Sequence, residues 1–292
     1  MELLQPSSVE EAAAALGNGS RALAGGTELV PLLRDGLAQA DTLVHISAVV
    51  PRGVDESRAS GSEPPSHRIG AGTTLAELET DDRVPHALRE ACSQAASPQL
   101  RSMGTIAGNL LQATRCWYWR LGFDCWLHGG EKCFAKDGAH REHAIFGNER
   151  CASAHPSDVA AALVALDARL RTTAREVSVA EFYRLPSADN RNVTALAPDE
   201  LIMEIDVPVP EVSTYLKAMD RRKWAFPLVG VAAARSGEQI RIALAGVAPI
   251  PWTLDGAAAL DGATPLPGTA YKVEIARALV RRALAGIAEQ AR

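Results

Sequence analysis

A chain of 292 residues, 47% hydrophobic and 22% charged, has the material for one large cored domain or roughly two or three modest ones. No window approaches about eighteen uninterrupted apolar residues, which excludes a membrane-spanning helix. A formal charge of −5 argues against a general nucleic-acid surface.

The first segment, "MELLQPSSVEEAAAALGNGS", lacks the basic, apolar and small-residue features of an export signal, so the cytoplasm is the expected location. Export to the periplasm with a signal-bearing partner stays open. "SSVEEAAAAL" reads as a capped helix: Ser8 accepts amide hydrogen bonds and Glu11 lies where a capping box needs it. "RALAGGTEL" reads as a strand that breaks into a glycine turn, with a helix starting near Leu29, and "DTLVHIS" as a second strand. The polar run from Arg52 to Ser66 is expected as a loop, followed by a strand at "HRIGAG" and a helix at "TTLAELE". This alternation places the first part in the α/β class.

"DRVPHALREACSQAA" supplies a further helix that stops before Pro98, with Cys92 as a buried free thiol on its apolar face. After the cysteine-rich region, "HPSDVAAALVALDARLRT" runs from helix to strand, and "LIMEIDVPVP" is another strand. "STYLKAMDRR", "FPLVGVAAAR" and "QIRIALAGVAP" read as strands before a terminal helix, "AYKVEIARALVRRALAGIAEQ". The boundary is expected near residues 172–178, ahead of a C-terminal α+β domain.

Two glycine turns carry the first chemical signal. In "LAGGTEL", residues 23–29, and in "GTIAGNLL", residues 104–111, glycine permits positive backbone dihedrals and close approach by a ligand. Successive amides in such turns can converge on phosphate oxygens, with Thr27, Thr105 and Asn109 adding side-chain donors. Two such loops suit a dinucleotide pyrophosphate, although neither is a Rossmann or Walker sequence. Each alone is an ordinary turn.

The second signal is cysteine. Of five, Cys116, Cys125, Cys133 and Cys151 fall close together among Trp117, Tyr118, Trp119, Phe123 and Trp126. Their spacing is neither a compact ferredoxin loop nor a pair of zinc knuckles. Metal ligation, buried unpaired thiols and disulfides are all open on spacing alone. The aromatic residues are expected to pack as a satellite core or subunit contact. His128, His140, His143 and His155 are expected as surface or hydrogen-bonding residues.

"RALAGGTELVPLLRDG", "IGAGTTLAELE", "RSMGTIAGNL", "HPSDVAAALVALDA", "DELIMEIDVPVP" and "YLKAMDRR" occur in one order across nearly the whole chain. In these the chain resembles the FAD-binding medium subunit of the molybdenum hydroxylases, the xanthine dehydrogenase, aldehyde oxidase and carbon monoxide dehydrogenase family. The resemblance implies an α+β fold: a two-lobed vanillyl-alcohol-oxidase-like (PCMH-type) FAD-binding domain over 1–174, then a C-terminal domain of the carbon monoxide dehydrogenase flavoprotein type over 175–292. It implies that Leu23, Ala24, Gly25, Gly26, Thr27, Glu28 and Leu29 wrap the pyrophosphate and ribityl region of FAD. Thr105, Ala107, Gly108, Asn109 and Leu110 would form the second FAD loop. Asp158 would bind the ribityl chain, and Lys217 would lie near the flavin ring. The segment "RRKWAFPLVG" departs from the family, which leaves contacts around Arg221 and Trp224 less defined.

Residues 112–155 form an insertion between "GNLLQ" and "HPSD". A branch of the family, similar to the flavin subunits of 4-hydroxybenzoyl-CoA reductase and periplasmic aldehyde oxidase, carries such a loop. That likeness implies a [4Fe–4S] cluster on Cys116, Cys125, Cys133 and Cys151. Further implied are a large molybdopterin subunit where the organic substrate reacts, a small subunit with two [2Fe–2S] centres, and a soluble acceptor or ferredoxin. Aldehyde oxidation is the expected reaction of the assembly; a benzoyl-CoA-reductase-like direction is the alternative. A stand-alone FAD oxidoreductase and a zinc-stabilised binding or assembly protein are the rivals. No separate dinucleotide fingerprint identifies NAD⁺ as acceptor.

Overall fold

Local sequence chemistry places the first elements. After β1 (Glu2–Leu4), the Ser8 hydroxyl accepts from the Glu11 amide at 3.1 Å and starts α1 (Val9–Ala15). The structure is a computed structural model and describes residues 1–17, 19–57, 65–221 and 225–290. β2 (Ser20–Leu23), α2 (Leu29–Arg34) and β3 (Thr42–His45) follow. β1, β3 and β2 form a three-stranded sheet in that order, with both pairings parallel. The two helices supply the crossovers that parallel neighbours require.

β4 (Val54–Ser57) lies inside the run expected as a loop. Its Val54 is buried opposite Ile69 of β5 (Ser66–Gly70), a pairing invisible in so polar a tetrapeptide. The rest of that run, residues 58–64, lies outside the described residues. Next come α3 (Leu75–Thr80), α4 (His86–Gln94), α5 (Pro98–Arg101) and α6 (Ile106–Leu110). Thr74 and Glu77 form a complete capping box on α3. The insertion holds short helices, α7 (Trp117–Arg120) and α8 (Phe134–Asp137), with a 3-10 turn at Trp126–His128 between them.

α9 (Asp158–Ala165) is buried at every position, as its near-continuous apolar sequence requires. It leads into β6 (Arg169–Thr172), β7 (Glu176–Ser178) and α10 (Val179–Phe182), then β8 (Ile202–Pro208). β8 pairs with both β5 and β6, closing an antiparallel five-stranded sheet, β4–β5–β8–β6–β7. β9 (Val212–Ala218), β10 (Val229–Ser236), β11 (Gln239–Ala245) and β12 (Trp252–Leu254) form an antiparallel four-stranded sheet. The terminal helix, α11 (Tyr271–Gln290), buries Ala276, Leu279, Val280, Ala283 and Ile287 against a core that includes Val229, Val231, Ile242 and Leu244. The opposite face of this sheet joins the main core around α9 through Ala232, Ala234, Ala243 and Ala245. No helix among the described residues is long and apolar enough to cross a membrane.

Lys272 at the start of α11 is wholly buried, which helical periodicity alone does not announce. Its ammonium donates to the carbonyls of Glu142 at 2.8 Å, His143 at 3.0 Å and Gly246 at 2.8 Å. Burial pushes this group down to about 7. The side chain thereby pins the insertion to both the second sheet and the terminal helix. Lys272→Met is expected to cost about 2–4 kcal/mol, because three carbonyls lose a shared donor. Urea unfolding of the two proteins measures it; a change within about 0.5 kcal/mol would deny the pin.

Candidate functional site

The two glycine turns meet back to back. A Cβ on Gly25 would lie 1.8 Å from the Met103 carbonyl oxygen, so only glycine permits this approach. Gly26 takes φ +70° and turns the chain from β2 into α2. The second turn is stitched to the start of α3 and the link ahead of it: Leu75 N donates to Gly104 O at 3.0 Å, and Ile106 N to Thr73 O at 2.8 Å. Thr105 caps α6 by accepting from Gly108 N at 3.2 Å. Among the described residues the amides of Gly25, Gly26, Thr27 and Glu28 have no protein acceptor. Loop amides in that condition suit phosphate oxygens.

Three cavities adjoin along these loops. An apolar chamber of about 250 Å³ lies between Leu29, Leu32, Ile46, Val50, Leu201 and Ile202. It shares Thr27, Glu28, Thr105 and Gly108 with a narrow waist of about 110 Å³, which Asn109 and Asp158 also border. The waist shares Arg115, Pro156, Ala225 and Phe226 with a polar chamber of about 450 Å³. The result is a trough with an apolar end, a glycine-lined middle and a polar end. That order matches an extended dinucleotide with an adenine, a pyrophosphate and a second ring. Leu23, Leu110 and Lys217 border none of the three: the Leu23 carbonyl accepts from Ile46 N at 3.0 Å, and the Leu110 carbonyl from the Tyr183 hydroxyl at 2.9 Å.

Asp158, at the start of α9, is set by what lies beneath it. Lys217 Nζ on β9 donates to Asp158 Oδ2 at 2.8 Å and to Gln94 O at 2.9 Å, while the Tyr215 hydroxyl donates to Oδ1. The carboxylate and the lysine are both buried. Burial pushes the Asp158 carboxyl above the usual carboxylate range, opposed by Lys217 and Tyr215. Lys217 therefore supports Asp158 from behind instead of facing the trough. The Ser157 hydroxyl donates to Asn109 Oδ1 at 2.6 Å and accepts from Ala160 N at 2.9 Å, coupling the second loop to α9.

Glu28 joins the first loop to the insertion. It accepts from the Ala113 amide at 3.1 Å, pairs with Arg115 at 2.7 Å and with Arg120 at 2.5 Å. Arg221 borders the polar chamber, and Trp224 lies outside the described residues.

The cluster expected on Cys116, Cys125, Cys133 and Cys151 is overturned. Among the described residues no group of three or more His, Cys, Asp or Glu side chains is arranged to hold a metal ion. The same finding removes the zinc alternative. The four thiols border one small void, with room of about 10 Å³, roughly that of one water. Local partners engage three of them: Cys116 Sγ lies 3.1 Å from His143 Nε2, and Cys151 Sγ 3.3 Å from the Ser153 hydroxyl. Cys133 accepts from Ala152 N at 3.5 Å and from the Cys151 thiol, which holds it below the usual thiol range. Burial pushes Cys116 up to about 11, and the hydrogen bond to Cys133, with burial behind it, raises Cys151. All five cysteines are unpaired, Cys92 among the buried ones.

The aromatic residues of the insertion pack with one another. Tyr118, Phe123 and Phe134 form one group with centroids 5.4–6.2 Å apart, and Trp119 stacks on His128 at 4.7 Å. His143 and His155 are each 2% exposed, deeper than expected for histidines in a polar stretch.

The family model described as the FAD binding domain in molybdopterin dehydrogenase matches residues 1–210. The chain belongs to that family. A relative, the aldehyde oxidoreductase FAD-binding subunit PaoB of Escherichia coli (strain K12), is 36% identical over 253 residues, covering 82% of this chain and 78% of its own length. Carbon monoxide dehydrogenase from Hydrogenophaga pseudoflava, in a structure lacking the Mo-pyranopterin moiety of its cofactor, superimposes with a TM-score of 0.70 at 26% identity, covering 99% and 98% of the two chains. Quinoline 2-oxidoreductase from Pseudomonas putida 86 shares the fold, with a TM-score of 0.67 at 21% identity over 99% and 96%. The two-domain α+β fold is that of the carbon monoxide dehydrogenase flavoproteins. This flavin-binding chain is an FAD-binding electron-transfer subunit of a molybdenum-hydroxylase-type enzyme.

Proposed function

We propose that the chain carries FAD in the three-chambered trough and passes electrons between the iron–sulfur centres of a partner and a soluble acceptor, within an aldehyde-oxidising assembly. The observation that carries the reading is the meeting of two glycine loops at the waist between an apolar and a polar chamber. The adenine end suits the apolar chamber, and the pyrophosphate suits the amides of Gly25–Glu28 with Thr27, Thr105 and Asn109. Asp158, oriented by Tyr215 and Lys217, suits the ribityl hydroxyls. Residues 1–174 supply both loops, while 175–292 supply Lys217 and the wall at Ala225 and Phe226.

When bound, FAD supplies the conversion between one-electron and two-electron transfer. The loops fix its position, and the chambers limit water around it. This reading needs a large molybdopterin subunit for the organic substrate and a small subunit with two [2Fe–2S] centres, because the described chain offers no metal site of its own. The aldehyde assignment is supported by the similarity to the aldehyde oxidoreductase subunit over most of both chains.

The test is flavin uptake by the purified full chain. One FAD per chain is expected, with no aldehyde turnover until partner subunits are added. Asp158→Asn, which removes the carboxylate charge facing the ribityl chain, is expected to weaken FAD binding roughly tenfold. A wild-type chain that takes up no FAD, or that oxidises aldehydes alone, overturns the reading.

A further inference from the structure

Three buried polar atoms without a hydrogen-bond partner among the described residues belong to side chains that border the same polar chamber: Arg115 Nε, His143 Nδ1 and His155 Nε2. Buried polar atoms are ordinarily satisfied, so three at one cavity point to a group that completes them. Two can be assigned as donors. Arg115 Nε–H can only donate. The Ser157 amide donates to His155 Nδ1 at 3.4 Å, and burial pushes this imidazole down to about 3, so the single ring proton sits on Nε2.

Around the chamber the cations Arg115 and Arg221 stand with the carboxylates Glu142 and Asp220, and Asp220 pairs with Arg141. Arg115 also pairs with Glu28, which Arg120 shares. Arg115 also spends an N–H on Gln112 Oε1 at 3.1 Å, yet keeps its Nε unpaired. Its guanidinium lies 4.8 Å from the centroid of Phe226, whose ring is 48% exposed and borders both waist and chamber. A flat apolar surface beside converging N–H donors suits a planar ring with acceptors along one edge. The pyrimidine edge of isoalloxazine, with two carbonyl oxygens and one ring nitrogen, N1, that lacks hydrogen, is such an edge.

We propose that Arg115 and His155, with His143 beside them, are positioning residues for the pyrimidine edge of the flavin and favour its reduced form. This rests on the FAD reading above. Reduction adds negative charge along that edge, and a half-buried cation with a neutral N–H donor stabilises the charge more than it stabilises the oxidised ring. The cation comes from the beginning of the insertion, which gives that segment a role at the flavin without any metal.

The deciding measurement is spectroelectrochemical titration of bound flavin in the full chain, wild type against Arg115→Met, Arg115→Lys and His155→Gln. Arg115→Met is expected to keep one FAD and to lower the midpoint potential by about 30 mV or more, a roughly tenfold loss of preference for reduced flavin. Arg115→Lys should recover most of that shift because it keeps the charge, and His155→Gln should shift the visible flavin bands. Unchanged potential and bands in an FAD-loaded Arg115→Met protein overturn the proposal and leave the FAD reading standing. If Arg115→Met holds no FAD, His155→Gln decides: the proposal stands if that variant shifts potential or bands, and falls if it shifts neither. A wild-type chain without FAD uptake fails at the earlier reading instead.

Discussion

Gly25→Ala separates the two glycine loops and weakens FAD binding by roughly two orders of magnitude, with about 2–4 kcal/mol of stability lost. The added Cβ meets the Met103 carbonyl oxygen at 1.8 Å and its carbon at 2.7 Å, and neither atom can rotate away as a side chain would. The opposing loop is held on two sides: Gly104 N donates to Leu100 O at 2.7 Å, and Gly104 O accepts from Leu75 N at 3.0 Å. The clash is therefore relieved by displacing the first loop, which carries Thr27 and Glu28 away from the waist and shifts Gly25 and Gly26 at the adjoining chamber. Gly286→Ala is the control, since no heavy atom lies within 4 Å of a Cβ there and the residue sits within α11. It should be neutral or slightly stabilising. Flavin-fluorescence titration and urea unfolding read both effects. FAD affinity within about threefold of wild type in Gly25→Ala would mean that the loop contact does not position the cofactor.

Acid is expected to unfold the chain through His155. Its folded-state pKa is depressed to about 3 by complete burial, against about 6.5 when unfolded. Below 6.5 the unfolded chain takes up a proton that the folded chain refuses. This contribution to stability is therefore fully present above pH 6.5 and is lost progressively as pH falls toward 3. Between pH 7 and 4 the loss is roughly 3 kcal/mol from this one residue. His143, pushed down to about 4 by burial and by the Lys272 ammonium, adds in the same direction. His155→Gln should abolish most of the His155 component while lowering stability at pH 7, where Ser157 N loses its acceptor and the ring contact with Tyr183 at 4.9 Å is removed. Denaturant midpoints for both proteins at pH 7 and 4 test this. Equal acid losses in the two would place the sensitivity elsewhere.

Both predictions turn on features of different legibility. The glycine loops, the Ser8 cap and the strand-to-helix turn at Leu29 are local, and each is written in a few adjacent residues. β9, β10 and β11 are nearly as plain, because their apolar residues bury within single strands. β4 was not legible: Val54 is its sole buried apolar residue, and only its partner Ile69 makes a strand of it. Lys272, His143 and His155 are polar residues buried by partners distant in the chain, a property no local pattern contains. The four cysteines misled for a related reason. Spacing leaves metal ligation, free thiols and disulfides open, and the ligand set rests on the likeness of the insertion to one branch of the family; in the structure His143 and Ser153 engage two of the thiols, and Cys133 and Cys151 interact directly. Arg115 carried no motif at all; its interest arises only where Glu28, Phe226 and the polar chamber come together.

Glu28 has a thermodynamic consequence of its own. A single carboxylate touches the flavin loop by its backbone and the insertion by Ala113, Arg115 and Arg120. Any protein surface that draws Arg120 away from Glu28, and so alters the loop, changes the affinity for the dinucleotide by some factor. Linkage then requires the dinucleotide to change the affinity for that surface by the same factor. Occupancy of the trough and the docking of any such surface on Arg120 would be, through one side chain, two readings of one coupling free energy.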